Sequence, residues 1–227
     1  GANQAILSGD AMLILAYEYL CRVEPDSLLP SLLQLFNRTA RQVCEGQQLD
    51  MDFEQAESVS LHQYLEMIEL KTAVLLGCAL QMGGLIGGAE EATAENLFQF
   101  GKEIGIAFQI QDDLLDTFGH PELVGKKVGG DIAQNKKNFL YVKALESASP
   151  PARRRLHELF TGKNLPEEEK IQEVIALYAD LKLEEFAHEE KRRHFERGLR
   201  HLEAARGSEA RKRELREFAE GLLERAS

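Results

Sequence analysis

The sequence predicts an all-α protein, a helical bundle with wholly apolar helices at its centre. Three observations carry that prediction. The six prolines (Pro25, Pro30, Pro121, Pro150, Pro151 and Pro166) all stand where an element can begin or end. Between them apolar residues recur at spacings of three and four, the period of a helix with a buried face. No stretch alternates strictly between apolar and polar residues, as a half-buried strand does.

The elements follow in order. Residues 5–21 are apolar-rich and stop short of Pro25. A second helix opens near Pro30, because proline is tolerated in a first turn, and runs to about Phe53. A third starts at Ser60, where Ser60 and Gln63 have the spacing of a capping box, and continues past Gly77 towards Ile86. Gly83-Gly84 and Gly87-Gly88 are expected to loosen the chain there. A long helix spans residues 91–118, and residues 119–131 form a Gly/Pro-rich loop. Helices are expected over 136–147, 151–160, 167–201 with a break near Leu181, and 209–225. No fixed-period repeat or low-complexity linker divides the chain, so residues 1–227 read as one domain.

Composition narrows the function. The chain has 227 residues, 44% hydrophobic and 29% charged, with 27 basic against 38 acidic residues and a net charge of −11. That is the make-up of a soluble globular protein. Residues 1–90 hold 4 basic and 12 acidic residues, 91–150 hold 6 and 9, and 151–227 hold 17 and 17. No basic stripe stands out for nucleic acid. The basic residues of the last third interleave with Glu at helical spacing, as on a solvated face. No apolar run is expected to reach the length of a membrane span, and no signal peptide is recognised. Three cysteines (Cys21, Cys44, Cys78) without CxxC spacing argue against a disulfide framework or zinc site and suit the cytoplasm.

The chemistry concentrates in Phe108-Gln109-Ile110-Gln111-Asp112-Asp113-Leu114-Leu115-Asp116. Asp112, Asp113, Asp116 and Gln109 fall on one side of the long helix, with apolar residues flanking them. Asp is a poor residue in mid-helix, and like charges at this spacing repel. A positive partner must offset this cost. Oxygen-only carboxylate clusters suit Mg²⁺, which takes one or two carboxylates and shares substrate phosphates. The next segment is Gly125-Lys126-Lys127-Val128-Gly129-Gly130-Asp131, followed by Asn135-Lys136-Lys137. Glycines that let backbone approach an anion, with lysines one loop away from a carboxylate cluster, point to a phosphorylated substrate. A lone Glu185–His188 Glu-x-x-His is insufficient for a di-iron site, which needs two such motifs.

These residues carry a family resemblance. Residues 108–116 followed by 125–136 resemble the second aspartate-rich motif and loop of the trans-isoprenyl (polyprenyl) diphosphate synthases, among them farnesyl and geranylgeranyl diphosphate synthases. Leu7-Ser8-Gly9-Asp10-Ala11 resembles the start of the helix after that family's first aspartate-rich motif. Glu45-Gly46-Gln47-Gln48-Leu49-Asp50-Met51 resembles its Gly-Gln-x-x-Asp helix, and Lys71-Thr72 its Lys-Thr pair. The matches keep the family's order across the first ~140 residues, which is what makes them specific. The last third matches only in being helical.

The resemblance implies an isoprenoid-synthase-type bundle around an apolar cavity. It implies condensation of isopentenyl diphosphate with an allylic diphosphate into a longer all-trans prenyl diphosphate, with Mg²⁺ on Asp112, Asp113 and Asp116. Lys71, Thr72, Gln109, Lys127, Lys136, Gln47, Asp50 and Phe108 would meet substrate, and the chain would form a homodimer through residues 28–43 and 75–86. Two other readings stay open: a non-catalytic partner subunit of such an enzyme, and a terpene cyclase on the same bundle. The family's first aspartate-rich motif is not in this sequence, which opens at Gly1-Ala2-Asn3. A piece of a longer protein is the favoured expectation, since a bundle begun midway would expose core surface.

Overall fold

A 28-residue helix, Glu91–Phe118, makes the most extensive packing contacts in the molecule. The structure, a computed structural model, describes residues 1–119, 128–162 and 165–224. In chain order these form α1 (Ala2–Leu20), a 3-10 turn (Asp26–Leu28), α2 (Leu29–Gln55), α3 (Leu61–Ile68), a π turn (Glu69–Ala73) and α4 (Val74–Ile86). The long helix is α5, followed by α6 (Gly130–Ala133), α7 (Phe139–Ser147), α8 (Pro150–Thr161), α9 (Glu167–Asp180), α10 (Leu183–Ala204) and α11 (Glu209–Glu224). Among the described residues there is no strand, as the periodicity predicts.

Local chemistry sets the boundaries. Ser60 caps α3 by accepting the Gln63 N–H, and the Gln63 side chain accepts the Ser60 N–H in return, completing the predicted capping box. The expected break near Leu181 is a turn through Lys182, at φ 54°. The helix expected from Lys136 instead begins at Phe139, because the Asn138 side chain accepts the Tyr141 N–H and fixes the start. Gly83-Gly84 does not loosen the chain, a correction: α4 runs through both to Ile86, and the bare Gly84 lets the Leu97 side chain come to 2.8 Å of where a Cβ would stand. The turn comes at Gly87-Gly88, with Gly88 at φ 82°.

α5 lies between α4 on one side and α10 on the other. Ile106, Ile110 and Leu114 join Tyr64, Met67, Ile68, Ile132, Phe139 and Leu140 in the main core. Phe100 and Ile104 join Leu202 and Ala219 in a second cluster towards the C-terminal helices. A buried polar pair crosses that boundary, with His194 Nδ1 of α10 2.6 Å from Glu103 Oε2 of α5.

The continuous helical run Leu61–Ile86 is long and apolar enough to cross a membrane, with a hydropathy of 1.3 over its most apolar window. This corrects the expectation that no run reaches such length. Its apolarity has a local cause. Val74, Gly77 and Cys78 are buried, and α4 packs on both α2 and α5. α1 behaves differently. It has no buried residue, Ile6, Leu7, Met12, Leu13, Ile14 and Leu15 are exposed, and Tyr17 joins it to α2 through an edge-on contact with Phe36 and a hydrogen bond to Asn37.

Candidate functional site

The site is assembled where three backbones come unusually close. A Cβ on Gly46 of α2 would stand 2.3 Å from the Lys71 nitrogen, and one on Gly105 of α5 would stand 2.7 Å from the Ala73 Cα. Only glycine permits both approaches, which hold the π turn between α2 and α5. Within that turn the i→i+5 pattern interrupts the α ladder at Glu69–Ala73, the stretch that carries Lys71 and Thr72.

Lys71 Nζ reaches Asp50 Oδ2 at 2.7 Å, and Gln47 Nε2 stands 3.4 Å from the same oxygen. The Gly-Gln-x-x-Asp and Lys-Thr motifs are thus one cluster. Thr72 Oγ1 lies 3.5 Å from Gln109 Oε1, whose amide nitrogen is 3.4 Å from Asp113 Oδ1. The Gln109 carbonyl is therefore turned towards Thr72.

The three aspartates do not act alike. Asp112 is exposed. Asp113 is 3% exposed and points into the core, where its Oδ2 accepts the Tyr64 hydroxyl at 2.5 Å and the Phe139 N–H at 2.9 Å. Burial pushes the Asp113 carboxyl up to about 7, against the lowering effect of those hydrogen bonds. Asp116 is half-buried, and its Oδ2 accepts the Asp131 N–H at 2.8 Å while its carbonyl accepts the Gly129 N–H at 2.6 Å. Burial raises the Asp116 carboxyl, and the neighbouring Asp131 and Asp112 charges add to this. The carboxylates read as one stripe thus face different partners, because Asp112 and Asp113 are 100° apart on the helix and only one of them meets the core.

α6 closes the cluster. Gly129 precedes it at φ 84°, where a Cβ would also meet Ile171 Cγ2 at 2.6 Å, so both conformation and space require glycine. Asp131 Oδ1 pairs with Lys136 Nζ at 2.9 Å, and its Oδ2 accepts from Asn138 at 3.2 Å. The hydrogen bond to Asp131 raises the Lys136 ammonium, and the charges of Asp131, Asp116 and Asp50 act in the same direction. Lys136 thus belongs by contact to the Asp116–Asp131 cluster. Lys137 points elsewhere and caps the end of α2, with its Nζ 2.7 Å from the Phe53 carbonyl and 2.5 Å from that of Ala56. Phe108 is 38% exposed, one turn before Asp112. Lys127 lies outside the described residues.

Sequence reasoning missed two members. Tyr64 reads as an ordinary core aromatic, and nothing local marks a partner 49 residues away. Asp131 did have a signal, as an acidic residue closing a Gly/Lys-rich loop.

The donors present suit magnesium in one particular mode. Among the described residues no three carboxylate, imidazole or thiol groups gather closely enough to hold a metal by themselves. Asp112 is exposed and Asp116 half-buried one turn further on, and Asp116 adjoins the Asp131–Lys136 pair. That fits Mg²⁺ bound in its usual way, with one or two carboxylates and the remaining ligands from phosphate and water.

Comparison with known proteins agrees with this geometry. A family model described as polyprenyl synthetase matches residues 1–178. The chain is 36% identical over 225 residues to a short chain isoprenyl diphosphate synthase of Methanothermobacter thermautotrophicus, covering 99% of this chain and 68% of that protein. It is 40% identical over 147 residues to a geranylgeranyl diphosphate synthase of Methanosarcina mazei, covering 64% of this chain and 45% of that protein. A crystal structure of a geranylgeranyl pyrophosphate synthase superposes with a TM-score of 0.91 at 40% identity, over 99% of this chain and 69% of the other. The fold is that of the isoprenoid synthases, and the matched stretch spans about two thirds of the Methanothermobacter protein and of the superposed structure and under half of the Methanosarcina protein.

Proposed function

This chain belongs to the polyprenyl synthetase family, and from that premise we propose that it is the diphosphate-binding part of a prenyl transferase. The reaction joins isopentenyl diphosphate to an allylic diphosphate and gives a longer all-trans prenyl diphosphate, of the farnesyl or geranylgeranyl class. The observation that carries this reading is that two cationic segments meet the same helix, α5: the Lys71–Thr72 turn touches it at Gln109, and the Asp131–Lys136 segment is hydrogen-bonded to Asp116. Relatives named as synthases of these products support the substrate class.

Asp112 and Asp116 are the residues that would hold Mg²⁺, which when bound neutralises charge on the departing diphosphate. Lys71 and Lys136 already stand in carboxylate pairs, so a diphosphate would exchange one anion for another at each ammonium. The allylic carbon–oxygen bond breaks with its electron pair leaving on diphosphate. Thr72 Oγ1 and the Gln109 carbonyl then present fixed negative dipole ends to the allylic cation. The alkene of isopentenyl diphosphate attacks that cation, and loss of a proton restores a double bond. Asp113 departs from its expected place as a metal ligand. Its oxygens are engaged by Tyr64, Phe139 and Gln109, so it positions Gln109.

The exposed apolar residues of α1 support pairing with a second copy, which light scattering on the purified chain tests. The cytoplasm is the compartment that three unpaired cysteines suit. The function is tested with Asp112→Ala, assayed for condensation of isopentenyl diphosphate with a labelled allylic diphosphate. Turnover should fall by about two orders of magnitude or more, with helix content unchanged. Near-normal turnover, or a cyclic hydrocarbon from the allylic substrate alone, would overturn this reading.

A further inference from the structure

α6 is four residues long, too short to hold its shape alone, yet it carries Asp131 and leads directly to Lys136. Its start is tied to the site by Asp116, which accepts the Asp131 N–H. Its end is tied to a different part of the molecule. Lys170, on α9, is 9% exposed and sends its Nζ to within 2.6 Å of the Ile132 carbonyl and 2.5 Å of Asn135 Oδ1. The same ammonium lies 5.1 Å from the centre of the Phe160 ring. The next residue, Ile171, packs on the bare Gly129 at the other end of α6. Two consecutive residues of α9 therefore grip both ends of this short helix.

The structure assigns Lys170 the role of a positioning residue that fixes α6, and through it Asp131 and Lys136, against the aspartates of α5. The cation is well placed to do so. A positive charge at a helix C-terminus meets carbonyls that lack intrahelical donors. Asn135 is held at φ 57°, a conformation its short polar side chain tolerates, and that side chain supplies the second acceptor. Burial lowers the Lys170 ammonium, so the contacts to carbonyl oxygen compensate a desolvated charge. Lys170 acts only through α6, and its importance to the site rests on the diphosphate reading given above.

The test compares the unaltered chain with Lys170→Met and Asn135→Gly. Three quantities are measured: amide hydrogen exchange by segment, the thermal midpoint, and the affinity for inorganic pyrophosphate with Mg²⁺ by calorimetry. In both variants exchange over residues 130–136 should accelerate about tenfold or more, while residues 104–114 of α5 keep their protection. Pyrophosphate affinity should fall by about tenfold, the size expected for the loss of one charged hydrogen bond. Should Lys170→Met loosen the whole chain, Asn135→Gly decides the matter, because it removes one acceptor at a residue whose backbone already suits glycine. Exchange that is unchanged over 130–136 in Asn135→Gly, or pyrophosphate affinity that is unchanged in both variants, overturns the assignment. An unaltered chain that takes up no pyrophosphate overturns the diphosphate reading instead, and the exchange pattern then decides the brace independently.

Discussion

The Tyr64 hydroxyl donates to Asp113 Oδ2 over 2.5 Å, and the Phe139 N–H reaches the same oxygen from α7. Three elements distant in sequence thus meet on one buried carboxylate. Burial and the Asp113 charge push the Tyr64 hydroxyl well above its ordinary range, which keeps it a donor. Tyr64→Phe leaves that carboxylate short of a partner at almost no change in volume. We expect a loss of about 1–3 kcal/mol, seen as a lower urea midpoint with an unchanged slope. An unaltered midpoint would show that the bond contributes nothing to stability.

The same carboxylate gives a pH dependence with a definite sign. Asp113 has a folded value of about 7 against an ordinary value of 3.8. Its contribution to stability is therefore complete below about pH 4 and is lost as pH rises through 7. The metal-free chain should lose thermal midpoint relative to Asp113→Asn between pH 5 and pH 8, by at most about 3 kcal/mol of stability. A difference that stays flat over this range would mean that the carboxyl is ionised throughout.

Glycine contacts predict opposite effects from one substitution. Gly46→Ala drives a methyl group into the Lys71 backbone, 2.3 Å from its nitrogen. That overpacking should cost about 1–3 kcal/mol or more, because backbone cannot yield as a side chain does. Gly9→Ala, in α1, meets nothing within 4 Å and should gain about 0.5–1 kcal/mol from helix propensity. Thermal melts of the two variants side by side test this, and equal midpoints would refute it.

The buried pair of Glu103 and His194 makes a prediction about partners. Burial raises the Glu103 carboxyl, but the His194 hydrogen bond, with the charges of His194, Arg197 and Lys102, leaves it lowered overall. His194→Ala leaves a nearly buried carboxylate with only the longer Arg197 ion pair at 3.9 Å and should cost about 3 kcal/mol. Replacing both residues together, Glu103→Met with His194→Leu, should cost less than either single change. Unfolding curves for the three variants decide the point, and simple additivity would contradict it.

How much of this was legible in the sequence varied with the range of the interaction. Ser60 with Gln63, the break at Leu181 and the long run of α5 are local signals, and they landed where expected. The resemblance assigns the motifs to one diphosphate site but names no pairs among them, and the Lys71–Asp50 and Lys136–Asp131 contacts come from the structure alone. The orientation of Asp113 was not legible. A helical projection shows the direction a residue takes from its own axis, and only the neighbouring Tyr64 determines whether that direction is wet or buried. α6 is not legible because a four-residue helix that opens within the Gly129-Gly130 pair carries no period. The grip of Lys170 was invisible for the same reason as Tyr64, its partner lying 38 residues away.

The π turn at Glu69–Ala73 makes the length of this stretch matter as much as its composition. Removing any one of these residues would turn the whole of α4 by about 100° about its axis relative to α3. Val74 and Cys78 would rotate out of the core, and Gly77 would no longer meet Gly101, whose absent Cβ would lie 2.9 Å from the Gly77 Cα. Substitutions here alter a side chain, whereas a deletion puts the turn that carries Lys71 and Thr72 and a packing face out of phase together. The reading frame of the core and that of the Lys71–Thr72 pair are set by the same five residues, so neither can be shifted alone.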